Sequence, residues 1–336
     1  MPRRPSTPAA TSRTDHRHRG WDVDDLPPVR PDHSVLVTGG NAGIGYFVAE
    51  QLAATGALTV LGSRDARKAE TAMAAIRTRV PEARLRHIPL DLADLASLKS
   101  APQDLADLGL DHLDALIANA GVALDDPPRR VTADGHELML ATNHLGHFAL
   151  THWLAPLLTA APAARVVTVG SFAARSERLD LTDLQSTRDY RPKRTYGRSK
   201  LAQMSFAFEL DRRLRAADSP VRSLVAHPGG ALDALTPPRP PIHVTSPAAR
   251  LRALPATVMV QGKDHGAWPI VRAALDPEAE GGQLWGPRTF GLRGAPALEQ
   301  PKPHMTDPET AARLWEASLT LVCASLIGAQ PNMPGW

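Results

Sequence analysis

The sequence predicts an α/β fold: a single doubly wound sheet of seven parallel strands with helices on both faces. Three observations predict it. Seven short apolar runs recur along the chain, and each is continuous rather than alternating. Longer segments of helical period separate them. Six of the runs end in polar or glycine-bearing residues. Continuous apolar strands suit a parallel sheet covered on both faces, and alternation with helices gives right-handed crossovers.

The runs are SVLVTG (34–39), LTVLGS (58–63), LRHIPLD (85–91), LDALIANAG (113–121), RVVTVGS (165–171), VRSLVAHPG (221–229) and GQLWGP (282–287). Helices are expected near 43–55, 66–79, 94–107, 136–159, 196–217 and 265–275. This is a Rossmann-type arrangement, and such sheets bind ligands at the carboxyl ends of their strands. Residues 34–290 therefore form one domain. Residues 1–33 hold Pro, Arg, Ser, Thr and His without period, as expected of a disordered basic arm. Residues 231–264 are proline-rich and irregular, placed to act as a substrate loop over the cleft. Residues 291–336 form a C-terminal extension with a helix near 307–326, where Asp307 and Pro308 open the first turn.

Composition narrows the function. The net charge is +3, but residues 1–20 carry five Arg and one Asp, hence +4, so the other 316 residues sum to −1. The basic character belongs to the arm, which predicts no nucleic-acid face. Cys323 is the single cysteine, so no disulfide framework exists, and a reducing cytoplasm is the expected location. No apolar run is long enough for a membrane span. His144, His147 and His152 share one helix segment, but no cysteine or carboxylate accompanies them and no metal is expected.

TGGNAGIG (38–45) joins the first strand to the first helix. Gly39, Gly43 and Gly45 let the backbone approach a pyrophosphate closely, and the helix presents free N–H groups to it. The second strand ends in Ser63 and Arg64. An acidic residue there would bind a ribose 2′-hydroxyl; an arginine can pair with a 2′-phosphate instead. Arg67 and Lys68 are secondary candidates. Asp65 would be the acidic ligand if the register slipped by two.

Of three tyrosines, only Tyr196 has a lysine four residues on, Lys200. The spacing puts both on one helix face. A free phenol is a poor base at neutral pH, and a nearby ammonium favours its ionised form. Such a phenol can give or take a proton at a carbonyl or alcohol oxygen.

TGGNAGIG, NAG (119–121), TNHLGHF (142–148), VTVGS (167–171), YGRSK (196–200) and HPG (227–229) occur in this order. Together they resemble the short-chain dehydrogenase/reductase family over residues 34 to 290. NHLGHF and YGRSKLAQ are most similar to its retinol-dehydrogenase-like and WW-domain-oxidoreductase-like branch. The resemblance implies that Ser171 orients the substrate oxygen and that Tyr196 is the general acid in reduction and the base in oxidation. Lys200 would hold the nicotinamide ribose and favour the tyrosinate, and Asn143 would hold a water linking the lysine to solvent. Gly39, Asn41, Gly43, Ile44 and Gly45 would line the phosphates and ribose, and Asp91 and Leu92 the adenine. Asn119, Ala120 and Gly121 would support the cofactor, with Pro228 and Gly229 near the nicotinamide. Arg64 is similar to members preferring NADP, so NADP is expected ahead of NAD.

The implied reaction interconverts a carbonyl and an alcohol on a lipophilic small molecule. The alternative is an NADP-binding sensor with little turnover. Two departures stand out. Asp233 falls where relatives carry a hydroxyl residue, and Tyr196 comes 25 positions after Ser171, an excursion long enough to wall a substrate pocket. Helices 136–159 and 196–217 pair subunits in many relatives, so a homodimer is implied, unless the C-terminal extension blocks that face.

Overall fold

The computed structural model describes residues 25–26 and 29–325. Most of the expected arm, residues 1–24 and 27–28, and position 326 of the expected C-terminal helix lie outside the described residues. In chain order the strands are β1 (Ser34–Thr38), β2 (Leu58–Ser63), β3 (Leu85–Pro89), β4 (Ala115–Ala118), β5 (Arg165–Val169), β6 (Arg222–Ala226), β7 (Leu284–Thr289) and β8 (Arg293–Glu299). The helices are α1 (Gly43–Ala54), α2 (Ala66–Arg79), α3 (Ala101–Asp107), α4 (Leu138–Leu140), α5 (Gly146–Trp153), α6 (Ala155–Ala160), α7 (Pro192–Ala216), α8 (Pro247–Ala253), α9 (Lys263–Leu275), α10 (Pro303–Thr306) and α11 (Pro308–Ser325).

The sheet runs β3-β2-β1-β4-β5-β6-β7-β8. Seven strands are parallel, as expected, and β8 pairs antiparallel with β7. The sheet therefore has eight strands rather than seven, and it continues to Glu299 rather than ending by 290. A two-strand hairpin needs no crossover helix, so β8 leaves no βα rhythm to read. Its burial is broken, and only Pro296 is buried, as suits an edge strand.

Continuous apolar runs are explained by the two cores. In β1, Val35 and Val37 pack with α1 and α9 residues such as Phe47 and Ile270. Leu36 between them packs on the other face with Phe148 and Leu210. Every β1 side chain is buried, whichever face it takes.

The helix expected over 136–159 is three helices. A π turn over Ala141–Leu145 separates α4 from α5, and α6 restarts at Ala155 with Pro156 in its first turn. α7 begins at Pro192, a turn before Tyr196. α11 packs on α5 and α7. Trp315 stacks on Phe206 at 5.6 Å and meets Phe148 edge-on at 5.0 Å, with the Arg213 guanidinium 4.3 Å over its ring. The extension is thus part of the core and covers part of the face on which subunit pairing is implied.

Candidate active site

The sheet order reverses between β1 and β4, and the crevice opens at that point. The two strands are stitched there by Thr38. Its hydroxyl accepts hydrogen bonds from Asn119 N and Ala120 N, both at 2.9 Å, and donates toward Ile117 O at 3.1 Å. The Asn119 side chain donates to Thr38 O at 2.8 Å.

A cleft of about 530 Å³ opens above this seam. Of the residues singled out in the sequence, Gly39, Asn41, Gly43, Ile44, Gly45, Ser63, Arg64, Asp91, Leu92, Asn119, Ala120, Gly121, Ser171, Tyr196, Lys200 and Pro228 line it. Asn143 and Gly229 are not in its lining. Lys68 is in it as well, and Arg67 is not.

The floor is the start of α1. Its N-cap is Ala42, which supplies no side-chain hydrogen bond, so the first-turn N–H groups face the cleft uncapped. Gly39 and Gly43 adopt positive φ, 65° and 58°. A Cβ at Gly43 would meet nothing within 4 Å, whereas one at Gly45 would collide with the Asn119 amide and the Gly39 carbonyl. Gly43 thus keeps the turn's conformation, and Gly45 the close approach of helix to strand.

α2 starts at the same cleft but is capped. Asp65 Oδ1 accepts from Lys68 N at 3.1 Å, and Oδ2 lies 3.8 Å from Lys68 Nζ. The Asp65 carboxylate is held below its ordinary range by the Lys68 N–H. Committed as a cap, it is a poor candidate for a ribose ligand. Arg64 is 67% exposed, and among the described residues Asp91, at 3.8 Å, is its ion-pair partner. Ser63 is turned inward, its hydroxyl 3.3 Å from His87 Nε2.

Lys200 and Tyr196 share the cleft-facing side of α7. Lys200 is buried and donates to Val169 O at 2.8 Å and Gln203 Oε1 at 2.7 Å. Both acceptors are neutral, and burial pushes its pKa down to about 7. Beneath it lies a polar layer. Asn143 Oδ1 accepts from Val122 N at 2.8 Å, and its amide NH₂ donates to Val122 O at 3.0 Å and Ser199 Oγ at 2.8 Å. Ser199 in turn donates to Tyr196 O at 2.7 Å. The π turn carries Asn143, a common placement for functional side chains. Ser171 caps the short turn after β5, accepting from Ala173 N at 3.2 Å.

Four participants carry no role in the sequence reading. Gln203, three residues after Lys200, also donates to Ala118 O at 3.0 Å. His147 bridges Thr38 Oγ1 (2.9 Å) and Asn143 O (3.0 Å), and burial lowers its pKa to about 3, so it is a neutral strut. His144 points elsewhere, to Ser318 Oγ at 2.7 Å; the two histidines do not converge. Thr142 lines the cleft, and its Oγ1 is buried without a hydrogen-bond partner. Fourth, Glu299 of β8 accepts from His227 Nε2 at 3.0 Å and pairs with Arg175. Burial raises the Glu299 carboxyl, but His227 and Arg175 outweigh that and hold it low. One carboxylate from the extension thereby ties the turn after β5 to the turn after β6. HPG gave a signal for His227; nothing marked Glu299.

Asp233, the departure noted in the sequence, does not line the cleft. It pairs with Lys263 and lies 3.6 Å from His243, both within the segment 231–264. The excursion between Ser171 and Tyr196 contributes nothing to the cleft wall. It packs back on the body, where Gln185 receives Glu137 N at 2.8 Å and Arg129 Nε at 2.8 Å.

A doubly wound sheet with an uncapped, glycine-lined helix start at its switch point defines a nucleotide-binding α/β protein. The chain belongs to the short-chain dehydrogenase family, whose model (short chain dehydrogenase) matches residues 33–236, more than half of its length. It is an NAD(P)-dependent carbonyl/alcohol oxidoreductase. Polyprenol dehydrogenase of Mus musculus is 38% identical over 89% of this chain and 86% of its own. Retinol dehydrogenase 13 of Homo sapiens is 35% identical over 87% and 85%, in keeping with the retinol-dehydrogenase-like branch. Among solved structures, a putative uncharacterized protein from Mycobacterium paratuberculosis is 36% identical, with a TM-score of 0.71 over 91% of this chain and 98% of its own. A Pseudomonas aeruginosa RhlG/NADP active-site complex is 26% identical, with a TM-score of 0.57 over 76% and 96%.

Proposed function

We propose that the chain interconverts a carbonyl and an alcohol on a lipophilic small molecule, with NADP as cofactor and Tyr196 as general acid and base. The observation that carries the reading is the meeting of Ser171, Tyr196 and Lys200 with the glycine turn in one cleft. The residues fit a dinucleotide. Uncapped N–H groups at α1 suit a pyrophosphate, and Thr142, whose Oγ1 is buried without a hydrogen-bond partner, belongs to the same lining. The nicotinamide supplies or accepts the hydride at the substrate carbon.

In reduction the Tyr196 hydroxyl gives its proton to the carbonyl oxygen; in oxidation it takes that proton back. The Ser171 hydroxyl holds the same oxygen and stabilises charge developing on it. Lys200 sits one turn from Tyr196 and would hold the ribose. Asn143 is linked through Ser199 to the Tyr196 carbonyl. Its amide is fully engaged by protein groups, so a role in passing protons to solvent would need it to exchange a partner.

Arg64 supports NADP, since it is exposed at the cleft with one distant carboxylate, and Asp65 is spent as a cap. The names polyprenol and retinol dehydrogenase, borne by relatives, support a lipophilic substrate. The test is direct. NADPH and NADH are titrated into the protein, then aldehydes and ketones are screened against wild type and Tyr196→Phe. Turnover should fall by about 10²–10⁴-fold in the variant, with NADPH binding kept. Equal turnover in the two would remove the mechanism.

A further inference from the structure

The substrate loop carries an apolar face that its own fold does not cover. α8 and the 3₁₀ turn Leu254–Val258 run on as one helical segment from Pro247 to Val258. Leu251, Leu254 and Val258 recur along it, and all three side chains are exposed: Leu251 is 67% and Val258 68% exposed. Val244 and Met259 are exposed at its two ends. Among the described residues, five of the ten exposed large apolar side chains thus fall within residues 244–259.

Arg250 and Arg252 flank the face, both exposed. No Asp or Glu occurs between Asp233 and Asp264. An apolar stripe with an arginine border and no carboxylate is the pattern of a helix lying in a lipid interface. Charge decides among occupants. A second copy docked about a two-fold axis would set these arginines near their own counterparts, with no carboxylate in the patch to offset them. The N-terminal arm, at +4, is repelled by the same border.

The patch is joined to the cleft. Gln261 forms a bridge to Ala231, its amide donates to Pro228 O at 3.1 Å, and its Oε1 accepts from Gly294 N at 2.8 Å. Pro228 is itself cleft lining. Resting on the reading that the substrate is lipophilic, we propose that this face docks the enzyme on an anionic lipid surface, from which the adjoining cleft takes its substrate.

Flotation of the full-length protein with vesicles tests it. Phosphatidylcholine vesicles containing phosphatidylglycerol should carry the wild type, and phosphatidylcholine alone should not. Leu251→Ser/Val258→Ser should weaken capture about tenfold, through lost apolar burial. Arg250→Glu/Arg252→Glu should weaken it comparably, through lost attraction to the surface. Both variants should reduce a water-soluble aldehyde at the wild-type rate and a vesicle-borne one more slowly. Unchanged capture of the serine variant would assign attachment to the arm and overturn the proposal. So would no capture of wild type, or a wild-type dimer that the serine variant makes monomeric. Loss of soluble-aldehyde turnover in the wild type would instead sink the functional reading on which the proposal rests.

Discussion

The cleft and the segment 231–262 beyond it are built by different rules. On the nucleotide side, from β1 to β5 and along α7, Thr38, Asn143 and Lys200 are each locked by neighbours. Thr38 seats two backbone amides, Asn143 three partners, and Lys200 a carbonyl and an amide. Over residues 231–262 the chain is held at separated points and leaves apolar side chains in water. One point is the Gln261 bridge. Another is Arg239, whose guanidinium makes three hydrogen bonds, at 2.8–3.1 Å, to the nearly buried Glu50 of α1. The difference teaches that the nucleotide cleft rests on interlocked, low-exposure geometry, while residues 231–262 are positioned by a few anchors.

Breaking an anchor should therefore cost most. Glu50 also accepts from Tyr46 OH at 3.1 Å, so Glu50→Ala strands both a part-buried guanidinium and a buried phenol. Removing one partner of a buried pair costs about 3–5 kcal/mol, which chemical denaturation would read. Arg239→Ala leaves Glu50 near Arg79 (3.8 Å) and should cost less. Equal losses from the two would mean that the loop, not α1, bears the damage.

Next comes the interlocked side. Lys200 has an ordinary pKa of 10.5 and a folded value of about 7. Between those pH values the unfolded chain binds the proton and the folded chain does not. Folding therefore releases it, and stability rises with pH across that window. Lys200→Met should flatten the slope and stabilise the apo protein near pH 7 by up to about 3 kcal/mol, while abolishing turnover. A slope unchanged in the variant would place the titrating group elsewhere.

The contrast also explains what the sequence disclosed. The glycine turn, Tyr196 and Lys200 were legible because backbone approach and helical spacing restrict which residues can serve. Sixteen marked positions meet in one cleft. Glu299 was not legible, because its partners His227 and Arg175 lie 72 and 124 residues away and β8 joins as an irregular edge strand. The π turn was hidden too: Thr142 to Leu145 keep helical composition, and only the register of backbone bonds differs. Asp233, which departs from the hydroxyl residue of relatives, pairs within its own segment with Lys263.

A smaller effect is expected at Gly45. Alanine there would drive its Cβ into the Asn119 amide and the Gly39 carbonyl. Because backbone must shift, the cost should be about 1–3 kcal/mol, seen jointly as a lower Tm and weaker NADPH binding. Gly43→Ala meets no atom but is strained at φ 58°. It should lower stability by about 1 kcal/mol and leave the helix–strand seam intact.

The smallest effect separates cofactors rather than folds. Arg64 is exposed and carries no packing, so Arg64→Ala should leave Tm unchanged. A 2′-phosphate that pairs with a guanidinium loses a charge-assisted bond in the variant, weakening NADPH by about tenfold. NADH lacks that phosphate and should bind the variant as it binds the wild type. Lys68, also at the cleft, limits the loss; Arg64→Ala/Lys68→Ala should therefore weaken NADPH further and still spare NADH. If instead NADH binding fell in parallel, Arg64 would be acting on the adenine or on Asp91, its 3.8 Å partner, and the cofactor side would carry no preference at this position.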